Sequence, residues 1–272
     1  MLIDTHAHLD FPEFAADLEA ILERASAAGV KQILSIGTSV ESSRRAVELA
    51  EKHDSIFAVV GVHPNAAGEV EGDYLGELRE LVKHPRVVGI GETGLDYHRM
   101  RSRMSGEEQA GEWVEKDRAD GVQQAKVFQA QLELAAEVGL NVVIHERDAW
   151  EDTLAMLRPY SGRLRAVFHC FGKSPAHAEE IFRLGHVVSF TGIVTFKNAQ
   201  IVQETAKVIP AQSFMVETDC PYLAPVPHRG KRAESGHVRT TAEWIARLRG
   251  VTVEELAAET TATARDFFRW PA

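Results

Sequence analysis

The chain has 272 residues, 44% of them hydrophobic and 26% charged, with a formal net charge of −10. That balance suits a soluble globular protein with a sizeable core, and the acidic total excludes a general electrostatic coater of nucleic acid, which would be basic. No apolar run approaches the roughly 20 residues of a membrane helix, and the opening MLIDTHAHLD lacks the basic and apolar regions of a secretory signal.

In chain order, short apolar runs alternate with stretches of helical period. A strand at 2–4 precedes a stripe of Leu18, Ile21, Leu22 and Ala25 that Gly29 ends. Strands follow at 32–36, 56–60 and 87–90. The stretch 99–121 is charged, Gly-containing and weakly periodic, so it reads as an insertion. It is either a solvated excursion or a loop facing a substrate. Val122, Ala125, Phe128, Leu132 and Ala136 form the next stripe, closed by Gly139. Strands at 142–144, 166–168, 186–190 and 214–216 continue the alternation. Helices end before Gly185 and Gly250, glycine being the usual left-handed stop. A last helix is expected over about 253–268.

Continuous apolar strands are those buried on both faces of a parallel sheet. Eight of them alternating with helices give a single α/β domain over 1–272, a (β/α)8 TIM barrel carrying the polar insertion. An open doubly wound sheet is the alternative, but no Gly-x-Gly-x-x-Gly turn follows the first strand. Two cysteines, Cys170 and Cys220, in a chain this long suit a reducing compartment, so a cytoplasmic location is expected. Each follows a candidate ligand directly, so strand parity turns both away from the site into packing.

In such a barrel the chemistry sits at the C-terminal ends of the strands. There the sequence places His6-Ala7-His8, His63, Glu92, His145, His169 and Asp219. A spacing of two puts both imidazoles of the first pair on one side of an extended chain. Any one of these residues alone would more simply be a hydrogen-bonded structural group. Together, the four imidazoles of His6, His8, His145 and His169 and the two carboxylates of Glu92 and Asp219 at one barrel mouth would be costly to bury unless cations occupied their lone pairs. Nitrogen and oxygen donors without thiolate suit Zn, Mn, Mg, Fe or Co. His6, His8, Glu92, His145, His169 and Asp219 are too many for one catalytic ion with an open position, and suit two divalent ions with Glu92 between them. Glu217 shares inward parity with Asp219 and is expected to hold a ligand in place.

The stretches IDTHAHLD (3–10), GVHPN (61–65), GIGETGLDYH (89–98), VVIHERDA (142–149), VFHCFGK (167–173) and ETDCPYLAPVPHRGKR (217–232) span nearly the whole chain. In them the sequence resembles the TatD family of metal-dependent deoxyribonucleases, within the amidohydrolase-like metal hydrolases. The resemblance implies a TIM barrel that hydrolyses DNA phosphodiesters, by exonucleolytic cleavage of single strands. It implies that His6 and His8 bind one metal with Glu92 and Asp219, and that His145 and His169 with Glu92 bind the second. The ions would be Mg, Mn or Zn. His63 would sit near the scissile phosphate or a further metal, and Arg147 would contact phosphate. Asn65 stands where the family commonly has a second His, which weakens any third-metal site. Ala233-Glu234-Ser235 stands where it usually has Asn-Glu-Pro, and the insertion is longer than the family's.

The expected chemistry is attack of an acidified water on phosphorus, with Glu92, Asp219 and His63 as the catalytic groups. Arg147, Tyr222, Arg229, Lys231 and Arg232 are the expected substrate contacts, the last three as a basic loop after the eighth strand. Tyr97, Phe171 and Tyr222 stand near strand ends where they could stack on bases, though Phe171 reads more simply as core. DNA is the expected partner, with no membrane and no obligate protein partner. Two rivals share the frame: hydrolysis of a small cyclic amide, lactone or phosphoester, and a non-enzymatic scaffold.

Overall fold

The computed structural model describes residues 1–98 and 110–270, with backbone alone for 110–115. Eight strands form one parallel sheet in sequence order: β1 (Leu2–Ala7), β2 (Val30–Ile36), β3 (Ile56–Val60), β4 (Val87–Asp96), β5 (Asn141–Arg147), β6 (Ala166–Phe168), β7 (Val187–Phe190) and β8 (Phe214–Val216). The seam between β8 and β1 is closed just past the strands. Asp219 donates its N–H to the His6 carbonyl at 2.8 Å, and His8 donates to that of Cys220 at 2.9 Å. The result is a (β/α)8 barrel.

The intervening helices are α1 (Leu18–Ala27), α2 (Val40–Lys52), α3 (Tyr74–Leu81), α4 (Ala110–Val138), α5 (Trp150–Leu157), α6 (Pro175–Arg183), α7 (Gln200–Val208) and α8 (Val238–Arg249). A ninth, α9 (Val253–Phe268), comes directly after α8 and starts on a reciprocal cap between Thr252 and Glu255. Its far end turns under the barrel. Phe267, Phe268 and Trp270 pack with Ile3, Leu34, Phe57, Val143 and Met215 to fill the N-terminal half of the interior. That plug leaves the opposite mouth as the place where polar side chains converge.

Two expectations need correction. Residues 110–121 are not irregular; they are the first turns of α4, while 99–109 lie outside the described residues. Between 110 and 121 only Gly111 and Gly121 oppose the helix, at about 1 kcal/mol each. The run holds no proline, and the packing of the later turns carries the earlier ones. Val122 is also not on the buried stripe: it is 66% exposed, whereas Phe128 and Leu132 are fully buried. Six residues before Phe128 is about 120° around the helix, off the inward face.

Candidate metal centre

Strands β1, β4 and β5 outrun their apolar segments, and the extensions carry the site. β4 continues past Ile90 through Gly91, Glu92 and Gly94 to Asp96. At Gly94 (φ +140°) a side chain would drive its Cβ into the His145 carbonyl, and at Gly91 (φ +144°) into that of Val143. Glycine at these points lets β4 run close to β5 and turns Glu92 into the mouth.

Glu92 is the centre of the arrangement and is 2% exposed. Its Oε2 lies 3.3 Å from His6 Nε2 and 3.7 Å from His8 Nε2. Its Oε1 lies 2.8 Å from both His145 Nδ1 and His169 Nε2, and 3.4 Å from His63 Nε2. Asp219 closes the first half, with Oδ1 3.3 Å from His8 Nε2 and 3.7 Å from His6 Nε2. All six expected ligands, with His63, therefore meet around one carboxylate whose two oxygens face two separate sets of imidazoles.

The electrostatics arise from that crowding. Burial works against charge on Glu92, yet interaction with the His169 and His63 imidazoles, with hydrogen bonds from His145 and His169, holds its carboxyl well below the usual range. Asp219 is lowered in the same way, against its burial, by His8 and the neighbouring imidazoles. Burial and then the charge on His169 push His6 down. His169 is raised well above its ordinary value: its burial is outweighed by Glu92 and Glu217. Burial also opposes charge on His8 and His145, but carboxylate partners raise both. His63 is lowered, chiefly by burial.

These residues fit divalent cations. Ring nitrogens of His6 and His8 face each other at 3.4 Å, and those of His145 and His169 at 3.3 Å. Lone pairs held that close need either protons or a cation between them. Triads His6–His8–Glu92, His63–Glu92–His145 and His6–His169–Glu217 each have their donor atoms within 4.8 Å of one another. A cation displaces the protons that balance the carboxylates, so its affinity rises with pH.

Outer partners fix the rings. His8 Nδ1 lies 3.1 Å from the Ile36 carbonyl. His63 Nδ1 accepts the Asn65 N–H at 3.0 Å, which leaves Nε2 toward Glu92. Glu217 lies 3.5 Å from His169 Nδ1, and accepts the Cys170 N–H and the Ser189 hydroxyl. Two buried acids escaped the sequence reading. Asp96 Oδ2 lies 3.1 Å from His145 Nε2. Burial opposes its charge, but that contact brings its pKa down to about 2. Asp4 accepts the backbone N–H of Thr218 at 2.9 Å and its hydroxyl at 2.7 Å, tying β1 to the turn that presents Asp219. Both acids share the inward parity of a ligand on the same strand, Asp4 with His6 and Asp96 with Glu92, and that parity is the signal that could have found them.

A cavity of about 890 Å³ opens over the centre, and Arg147 and Tyr222 line it. Lys173, which the sequence did not single out, lines it as well, its Nζ 3.2 Å from Glu146 Oε2. The basic loop is not brought there: Arg229, Lys231 and Arg232 are absent from the lining. Arg232 is turned to α1's side, 2.6 Å from Asp17 Oδ2 and bonded to the Glu13 carbonyl. Arg229 lies over the Phe196 ring at 4.4 Å. Tyr97 donates to Asp152 at 2.9 Å, and Phe171 is 5% exposed and packs in the core while touching the cavity wall. Cys220 is fully buried, as parity implied. Cys170 is not turned away: it takes a left-handed conformation (φ +49°), which breaks parity and puts it in the wall. Burial pushes its thiol up to about 12.

Residues 3–269 match the family described as TatD related DNase. The chain is 40% identical over 270 residues to YabD of Bacillus subtilis, an uncharacterized metal-dependent hydrolase, covering 99% of each. It is 35% identical to a 3′-5′ ssDNA/RNA exonuclease TatD of Erwinia tasmaniensis, covering 98% of this chain and 99% of that one. The crystal structure of YJJV, a TatD homologue of Escherichia coli K12, superposes with a TM-score of 0.86 at 27% identity, covering 99% and 98% of the two chains. With its barrel, its cluster of imidazoles around Glu92 and these relatives, the chain belongs to the TatD family and is a metal-dependent hydrolase.

Proposed function

We propose that the protein is a nuclease that removes nucleotides from single-stranded DNA, working from the 3′ end, with two divalent ions (Mg, Mn or Zn) at the centre. The observation that carries this reading is the division of Glu92: one oxygen toward His6 and His8, the other toward His145, His169 and His63. His6, His8 and Asp219 would hold one ion, His145 and His169 the other, and Glu92 both. Divalent cations in such a site supply an acidified water and neutralise charge on phosphoryl oxygens.

The chain's own groups do the rest. Asp219 has a side chain 14% exposed, at the cavity edge, and accepts a proton from the attacking water. His63, 13% exposed at its side chain, contacts the scissile phosphate. Arg147 and Lys173, which line the cavity, attract the phosphate backbone and orient it. Phe11, stacked on His8 at 4.8 Å and edge-on to Tyr222 at 6.3 Å, offers a face to the terminal base. The 3′ polarity is proposed from the Erwinia relative's name. Two thiols left unpaired support a cytoplasmic setting. No helix of the described residues is long and apolar enough to cross a membrane.

The test is a nuclease assay on 3′- and 5′-labelled single-stranded DNA, with and without chelator. Loss of label from the 3′ end, abolished by chelator and by His145→Ala, is the expected result. Turnover of lactones, cyclic amides or small phosphoesters with DNA untouched would replace this reading with the amidohydrolase one. The same assay on RNA decides whether the sugar matters.

A further inference from the structure

The residues gripping the ends of β3 and β4 are carboxamides from α4. Gln131 is fully buried. Its Oε1 accepts the Val62 N–H at 2.8 Å, and its Nε2 donates to the Val62 carbonyl at 2.9 Å and to the Thr93 hydroxyl at 2.7 Å. Val62 directly precedes His63, and Thr93 directly follows Glu92. Seven residues earlier, on the same helix face, Gln124 makes the same paired contact with Asp96. It accepts that residue's N–H at 2.9 Å and donates to its carbonyl at 3.1 Å. Asp96 in turn holds His145.

These bonds stand where the β3–β4 ladder has stopped, while β4 stays paired with β5 as far as Asp96. The last β3–β4 pair is Val60 with Ile90. Beyond it Glu92 donates its N–H to the carbonyl of Gly37, just past β2, not to β3. The freed polar groups of Val62 are bonded instead to Gln131, which reaches them because residue 61 is glycine. A Cβ there would lie 2.6 Å from Gln131 Oε1.

We propose that Gln124 and Gln131 are positioning residues for the metal centre. Gln131 sets the distance between His63 and Glu92, and Gln124 sets His145 through Asp96. The inference rests on the reading that the cluster binds divalent ions. If the two amides merely satisfied buried backbone groups, their loss would lower stability and leave the centre's affinity alone.

The experiment titrates Mn²⁺ into metal-free wild type, Gln131→Met, Gln131→Glu and Gln124→Met, beside melting temperature and nuclease kcat and KM. Each variant is expected to bind Mn²⁺ about 10–100-fold more weakly and to lose a similar factor in kcat. KM for the oligonucleotide should move by less than about threefold. Gln131→Glu keeps the acceptor but lacks both N–H donors, so it should not rescue. Adding Gln124→Met to Asp96→Asn should cost less than about threefold more, because both act by one route. A lower melting temperature with Mn²⁺ affinity and kcat within about twofold of wild type would overturn the proposal. If Gln131→Met fails to fold, Thr93→Val removes a single bond, and unchanged Mn²⁺ affinity there overturns Gln131's part. Wild-type protein that binds no Mn²⁺ defeats the functional reading and this inference together.

Discussion

Asp219 sits in the left-handed region at φ +58°, a conformation that Asn and Asp tolerate better than other side chains. Asp219→Asn therefore keeps the backbone and removes only the carboxylate. Its kcat should fall about 10²–10⁴-fold, with the far-UV spectrum unchanged; activity near wild type would remove Asp219 from proton transfer. Arg232 makes the opposite case. It stands in the motif that resembles the family best, and its charge reads as a substrate contact. In the fold its guanidinium bonds Asp17 instead, because the loop after β8 packs toward α1. Both side chains are about a third exposed, so Arg232→Ala should cost no more than about 1 kcal/mol. KM for DNA should stay at the wild-type value; a large rise would return Arg232 to the substrate. Ligand-type residues at strand ends were legible because period-two spacing and barrel topology both point them inward. Asp96 shares that parity with Glu92 but lies beyond the apolar run that marks the strand, and Lys173, a lysine on a rim, is distinguished only by what it touches.

At the scale of elements, α9, expected over about 253–268, runs from Val253 to Phe268; a reciprocal cap opens it and Arg269, in the αL conformation, ends it. Phe267, fully buried beneath the barrel, tests what that helix contributes. Phe267→Ala should destabilise by about 3–5 kcal/mol in denaturant unfolding, with Mn²⁺ affinity unaltered, since the plug and the mouth lie at opposite ends. The extensions of β4 and β5 were less legible. The apolar pattern stops at Ile90, and the glycines and charged residues after it would in isolation signal a loop. Only packing against neighbouring strands keeps that segment extended. Just before β7, His186 is 2% exposed and accepts the Ala166 N–H on Nδ1. Burial, then the charge of Arg165, lower it from 6.5 to about 4. The folded state thus refuses a proton that the unfolded chain accepts. Above about pH 6.5 this costs nothing; as pH falls from there to about 4, stability drops by up to about 1.4 kcal/mol per unit. His186→Gln should remove that component, so unfolding free energies of the variant should fall less steeply over this window. Parallel curves would contradict the assignment.

On the scale of the whole molecule, a net charge of −10 repels a polyanion everywhere except where positive groups gather. Among the described residues, Arg147 and Lys173 are the arginine and lysine side chains that line the cavity. At fixed divalent concentration the affinity for single-stranded DNA should fall with salt at a log–log slope of only about −1 to −2 if these two side chains carry the contact; a slope near −5 would mean an extended basic track that the described residues do not display. The barrel itself explains the rest of the arrangement. Closing β1 against β8 brings position 6 beside position 219, and the α9 plug fills one end so that the other can hold water, ions and substrate. The claim on which all of this turns is that Glu92 divides two cation sites. Crystals grown with Mn²⁺ and measured at its absorption edge test it most directly. The account predicts two anomalous peaks flanking the Glu92 carboxylate, one beside His6, His8 and Asp219 and one beside His145 and His169. Peaks elsewhere on the barrel, or none at saturating Mn²⁺, would contradict it.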